Sequence, residues 1–260
     1  MAPRLFIFGL GYTATRIATA AEGRGWEVIS TGRAGTLAFE DHGAVRQALS
    51  DADQVLSSVP PSADGDPVLA QYGSAFAGKP LTYLSSTGVY GDCGGAWVDE
   101  SAPIGTGRRT ARSEADAMWL EFGARVLRLP GIYGPGRSAL DRVREGRAQR
   151  IDLPGQVFSR VHVDDIVSGA LLALDAPPGA YNLSDDQPAS QNAVTEAACA
   201  LLGTAAPPVL TLEQAQLSPQ ARAFYDENRR VANGKAKRVL AWKLGFPTYR
   251  EGLAALAATA

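Results

Sequence analysis

The residues Gly9-Leu10-Gly11-Tyr12-Thr13-Ala14 have the types and spacing to hold the pyrophosphate of a dinucleotide. In a G-x-G-x-x-G/A turn the first glycine permits the tight bend and the second lets backbone approach the phosphates. The small third residue lets the following helix pack closely on the strand. The helix N-terminus adds unbonded N–H groups and the positive end of its dipole. Gly9, Gly11, Tyr12 and Thr13 are therefore cofactor-binding candidates, weighed against an ordinary glycine turn. Further on, Ser30-Thr31-Gly32-Arg33 offers no acid to accept hydrogen bonds from ribose hydroxyls. Arg33, with the Ser30 or Thr31 hydroxyl beside it, suits a 2′-phosphate, so NADP(H) is favoured and NAD(H) is the alternative. The plainer reading of Arg33 is a solvated loop cation.

These residues need elements to position them, and the hydrophobic pattern supplies them. Short apolar runs at Arg4–Phe8, Trp26–Thr31, Gln54–Val59, Leu81–Ser86 and Arg125–Leu129 read as strands. Between them Ala14, Ile17, Ala18 and Ala21 form one helical stripe, and Ala115, Met118, Trp119 and Phe122 another. Continuous apolar strands separated by amphipathic helices imply a parallel sheet covered on both faces, an α/β doubly wound fold of the Rossmann type. After the Gly134-Pro135-Gly136 break, Arg137–Arg150 carries five arginines against two acids, a local charge of +3. Val161–Val163 reads as a strand, and Asp164 as the opening of a helix with Val167, Ala170, Leu171 and Leu174 on one face. Tyr181–Leu183 reads as a last sheet strand. Beyond Pro188 the pattern is helical, with Val194, Ala197, Ala198 and Leu201 in one stripe and starts at Ser218-Pro219 and Asn233.

Composition narrows the function classes. At 260 residues and 45% apolar, the chain fills one large domain or two intimate ones. A net charge of -2 argues against nucleic-acid binding through bulk charge. Two cysteines and two histidines, all far apart, make neither a disulfide framework nor a metal site. The longest uncharged run, Ala197 to Leu212, has 16 residues and contains Pro207-Pro208, so no membrane helix is expected. The apolar Leu5–Tyr12 stretch contains glycines and no cleavage pattern, which disfavours a signal peptide. The expectation is a soluble, cytoplasmic protein acting on a small molecule, with a homodimer as the assembly to look for.

The run Ser85-Ser86-Thr87-Gly88-Val89-Tyr90-Gly91, followed by Leu129-Pro130-Gly131-Ile132-Tyr133-Gly134-Pro135-Gly136-Arg137, resembles the extended short-chain dehydrogenase/reductases. Within these the chain is similar to the NAD(P)-dependent epimerase/dehydratase group. His162-Val163-Asp164-Asp165-Ile166, Tyr181-Asn182-Leu183 and Leu244-Gly245-Phe246-Pro247 continue the match in order over nearly the whole chain. The resemblance implies a dinucleotide-binding domain of residues 1–135 plus 160–184. A smaller, mostly helical substrate lobe of residues 136–159 plus 185–260 completes it. It implies hydride transfer at a carbinol or carbonyl carbon, with Ser86 orienting the substrate oxygen and Thr87 as the fallback. Pro60, after the family's fourth strand, and Pro130 become cofactor walls, with a rigid turn the equal alternative for Pro60. Asp41 is a candidate adenine contact, though a solvated acid is the simpler reading. Arg137, Arg160 and His162 stand where related enzymes bind a nucleotide-linked sugar, against a solvated face for the arginines and a structural strand role for His162.

The family's Tyr-x-x-x-Lys pair is missing. Its place reads Gly107-Arg108-Arg109-Thr110-Ala111-Arg112, so Arg108 and Arg112 occupy the Tyr and Lys positions. A guanidinium stays protonated and cannot serve as an ordinary acid/base. Arg112 is suited to the nicotinamide ribose and Arg108 to a substrate anion. Tyr90 and Tyr133 are the nearest phenols, read first as packing or cofactor contacts. Two functions follow: an NADP(H)-dependent oxidoreductase or epimerase/dehydratase-like enzyme for a polar, anionic or sugar-derived substrate, or a non-catalytic NADP(H)-binding sensor.

Overall fold

The alternation of apolar runs and amphipathic stripes folds into a main six-stranded parallel sheet with helices on both faces. A computed structural model describes residues 2–107 and 110–259. The sheet strands are β1 (Arg4–Phe8), β2 (Glu27–Ser30), β3 (Gln54–Ser57), β4 (Leu81–Ser86), β5 (Arg125–Leu129) and β6 (Gly179–Asn182). Their spatial order is β6-β5-β4-β3-β1-β2, all parallel, with Ile7 in register with Leu56 and Leu84 with Leu127. The order reverses between β1 and β3. Such a switch point opens a crevice at the carboxyl ends of the strands, where ligands of this fold class bind.

The helices are α1 (Tyr12–Glu22), α2 (His42–Asp51), α3 (Pro67–Tyr72), α4 (Thr110–Glu121), α5 (Ala139–Arg144), α6 (Val163–Ala173), α7 (Gln191–Leu201), α8 (Pro219–Arg222), α9 (Gly234–Val239) and α10 (Tyr249–Ala258). Successive strand side chains point to opposite faces. Leu5 and Ile7 therefore pack with Ile17 and Ala21 of α1 and Ile166 and Ala170 of α6. Phe6 and Phe8 pack with Val45, Leu49, Val68, Leu69 and Trp119 of α2, α3 and α4. Leu140, Val194, Ala198, Tyr249 and Leu253 join α5, α7 and α10 in a separate small core.

Several elements depart from the sequence reading. Met118 and Phe122 are 41% and 44% exposed, so the second stripe is rotated on α4. Its inner face carries Ser113, Ala115, Asp116 and Trp119, because Asp116 must reach a cation inside the sheet. Leu201 is exposed at the end of α7, past the last turn that packs on α5. Helix α6 is capped by His162, whose Nδ1 accepts the Asp164 N–H at 3.2 Å, rather than opened by Asp164. Asn233 precedes α9, but its amide donates to the Ser184 carbonyl and to Asp186 instead of capping. The strand near Val161 is Arg160–His162, and it pairs with Gly131–Tyr133 outside the main sheet. Pro60-Pro61 follow β3, the third sheet strand. Near Asp41 the chain makes only the isolated Thr31–Leu37 bridge, so the family's count of a strand there does not apply. No helix among the described residues is long and apolar enough to cross a membrane, and none of their side chains cluster as a metal site.

Candidate functional site

The glycine turn has two differently constrained glycines. Gly9 has φ +80°, and a Cβ there would stand 2.8 Å from Val59 Cγ2, so turn and packing both exclude a side chain. Gly11 has an ordinary φ of -95°, and a Cβ on it would meet nothing within 4 Å. Nothing among the described residues requires Gly11 to be small; a ligand backing onto the turn would. As N-cap of α1 it also supplies no side chain to bond the first amides. This is the geometry that fits a pyrophosphate. Tyr12 closes one side, donating to the Pro135 carbonyl at 3.1 Å with Arg16 and Arg137 over its ring. Burial raises the Tyr12 phenol above its usual value.

The turn opens into a cleft of about 910 Å³, shared by the sheet's carboxyl edge and the helical lobe. Gly11, Tyr12 and Thr13 line it with Ser86, Thr87, Arg112, Pro130 and Arg137. Ser86 ends β4, and its Oγ accepts the Gly88 N–H at 3.1 Å, which fixes the hydroxyl at the cleft wall. Arg112, from the first turn of α4, makes no hydrogen bond or ion pair with a described residue. Beneath this wall lies a buried polar chain. Arg128 of β5 donates to both oxygens of Asp116 and, at 2.9 Å, to the Tyr90 hydroxyl. Ser85 donates to Asp116 at 2.6 Å, and Tyr90 donates to Asn182 at 2.8 Å. Tyr90 is thus committed to the interior, and burial pushes its phenol up.

Other candidates fall elsewhere. Thr31 is buried, with Oγ1 accepting the Gly9 N–H at 3.3 Å and its carbonyl accepting from Leu10 at 3.0 Å. It ties the turn to β2. Arg33 is exposed on the loop after β2, with no hydrogen-bond or ion-pair partner among the described residues. Pro60 is exposed, and Asp41 caps α2 by accepting the Ala44 N–H at 3.1 Å. His162 lies between Tyr133 and Phe246, 2% exposed and outside the cleft, where burial lowers its pKa. Tyr133 is also buried, its phenol raised by burial. Arg108 lies outside the described residues.

The cleft's outer wall contains groups that sequence patterns did not flag. Phe158 and Tyr225 meet edge to face at 5.5 Å, and both line the cleft with Arg142. The phenol of Tyr225 is raised by burial and held back by the charges of Arg142 and Arg160. No periodic or family motif surrounds Tyr225; only the fold brings α8 and the turn after it across the sheet edge. Arg160 donates to the carbonyls of Phe158 and Ala189, both at 2.8 Å, and to Gln191. Arg229 pairs with Glu227 at 2.9 Å and donates to the Gly91 carbonyl.

No family model matches the chain. It is 31% identical over 178 residues to a 3-diazoavenalumate denitrifying reductase of Streptomyces, a match spanning 60% of this chain and 58% of that protein. It is 38% identical to a functionally unknown conserved protein from Silicibacter pomeroyi, with 99% of each chain covered and a TM-score of 0.87. Two more distant structures share the fold. The human epimerase family protein SDR39U1, solved with NADPH, is 19% identical over 99% of this chain and 100% of its own, with a TM-score of 0.79. The dTDP-glucose 4,6-dehydratase of Bacillus anthracis, solved with NAD, is 15% identical over 99% of this chain and 96% of its own, with a TM-score of 0.77.

Proposed function

For this chain, which has the fold of the extended short-chain dehydrogenase/reductases of the NAD(P)-dependent epimerase/dehydratase group, we propose the function of an NADPH-dependent reductase acting on a polar, anionic acceptor. The observation that carries it is the convergence of Gly11, Ser86 and Arg112 on one cleft, with a guanidinium where the family carries its lysine. The α1 N-terminus and the open face of Gly11 hold the pyrophosphate, and Arg33 takes the 2′-phosphate. Thr13 and Pro130 wall the cofactor's path, and Arg137 sits above its turn. NADPH, when bound, supplies a hydride.

The missing Tyr and Lys leave the proton to solvent, because arginine cannot move one to or from the substrate oxygen. Hydride addition builds negative charge on the acceptor. Arg112 stabilises that charge as a fixed cation, the Ser86 hydroxyl donates to the acceptor oxygen and orients it, and water entering the cleft supplies the proton that completes the reduction. The reductase named among the relatives, which this chain matches over little more than half its length, supports the same direction. The solved structures with NAD and NADPH support a nicotinamide cofactor.

The test is NADPH consumption, followed by nicotinamide absorbance against a panel of carbonyl and other electron-poor acceptors. Ser86→Ala should lower kcat by about 10–100-fold with NADPH affinity retained. Tight NADPH binding with no consumption by any acceptor would favour the second reading, a non-catalytic sensor. That reading rests on the arginines in the Tyr and Lys positions.

A further inference from the structure

Among the described residues, the cleft's arginines are unequally available. Arg160 is spent on two carbonyls and Gln191, and Arg229 on Glu227 and the Gly91 carbonyl. Arg112 stands beside Ser86 at the sheet edge, and Arg137 stands over the Tyr12 ring at the cofactor turn. Among the described residues, Arg142 then stands at the substrate end. Its side chain lines the cleft with neither a hydrogen bond nor a carboxylate partner among the described residues, and its charge is felt at the Tyr225 hydroxyl. Beside it, Phe158 and Tyr225 present two rings at 88° to each other. Tyr225 makes no hydrogen bond with a described residue, so its hydroxyl remains for a ligand.

We infer that the substrate end of the cleft, formed by Arg142, Phe158 and Tyr225, binds an aromatic carboxylate. A flat ring packs against the Phe158–Tyr225 corner, where edge and face contacts add to simple burial. Its carboxylate meets the Arg142 guanidinium, whose planar fork matches two oxygens. The inference deepens the reductase reading by naming its acceptor class.

The test is calorimetric titration of the whole protein, with and without saturating NADPH, using trans-cinnamate, trans-cinnamamide, cyclohexanecarboxylate and UDP-glucose as probes. Cinnamate should bind at least 10-fold more tightly than the amide, which lacks the charge, and than the saturated ring, which lacks the flat face. Arg142→Gln should erase the acid-over-amide preference and Arg142→Lys should restore part of it. Phe158→Leu should weaken cinnamate while keeping the preference. Equal affinity for acid and amide, no cinnamate binding, or tighter binding of UDP-glucose would each overturn the inference. Failure of NADPH binding alongside intact cinnamate selectivity would remove the reductase reading and leave the anion site standing.

Discussion

Asp116 of α4 and Arg128 of β5 form a fully buried two-pronged ion pair, with Oδ1 to Nη2 at 2.7 Å and Oδ2 to Nε at 3.1 Å. Asp116 lies one helical turn after Arg112, so the pair that locks α4 onto the sheet also aims Arg112 into the cleft. Ser85, next to Ser86, donates to the same carboxylate. One interior contact thereby fixes the two cleft groups to which the reductase reading assigns the acceptor oxygen.

Breaking that pair from one side should be costly. Asp116→Ala leaves the Arg128 charge buried without its partner and should destabilise the fold by about 3–5 kcal/mol. The double variant Asp116→Leu, Arg128→Met removes both charges and should lose much less. Urea unfolding of both variants checks this; equal losses would mean that the pair's burial is not what holds α4.

The two kinds of glycine near the cofactor turn should separate binding from folding. Gly11→Val places its side chain in open space, so unfolding should shift by no more than about 1 kcal/mol, as for an altered helix cap. NADPH affinity should fall by about 100-fold or more, ~2.7 kcal/mol. Gly134→Ala is the converse: its Cβ would stand 2.6 Å from Val163 Cγ1 and 2.7 Å from the Tyr12 hydroxyl. That variant should lose stability first, read by thermal unfolding without ligand.

Stability should depend on pH through Asp185. This carboxyl is 1% exposed, its Oδ2 has no hydrogen-bond partner among the described residues, and burial pushes its pKa up to about 7. Its unfolded value is about 3.9. A group that binds its proton more tightly when folded stabilises fully below the unfolded pKa and loses that contribution as pH rises through the folded one. Asp185→Asn keeps the Oδ1 acceptor for the Gln187 N–H and cannot ionise. Its stability relative to the parent should therefore rise from pH 4 to pH 8. A constant difference across that range, measured by urea unfolding, would contradict the assignment.

Much of the frame was legible in the sequence because strands buried on both faces are written as largely apolar runs. Arg4–Phe8, Leu81–Ser86 and Arg125–Leu129 appear with the boundaries the pattern gives. The reading of α4 failed where a buried ion pair outranked hydrophobic periodicity: Asp116 points inward, and Met118 and Phe122 are left outside. The glycine turn was legible because its chemistry is local. That the Thr31 hydroxyl accepts the Gly9 amide was not legible, because it is a tertiary contact that no spacing encodes. Tyr225 and Arg142 carry no motif at all, and they meet only because the chain returns over the sheet edge after α7.

The proposed preference for NADPH is tested at Arg33. If Arg33 binds the 2′-phosphate, Arg33→Ala should weaken NADPH by about 1–3 kcal/mol and leave NADH nearly unchanged. Equal losses for both nucleotides would show that Arg33 acts through the loop instead.

The most direct measurement is a titration of the unmodified protein with NADPH and with NADH, followed by nicotinamide fluorescence. If the turn at Gly11 holds the pyrophosphate and Arg33 takes the 2′-phosphate, NADPH should bind, and more tightly than NADH. If neither binds, the glycine turn has lost its ligand and the proposed reductase function falls with it.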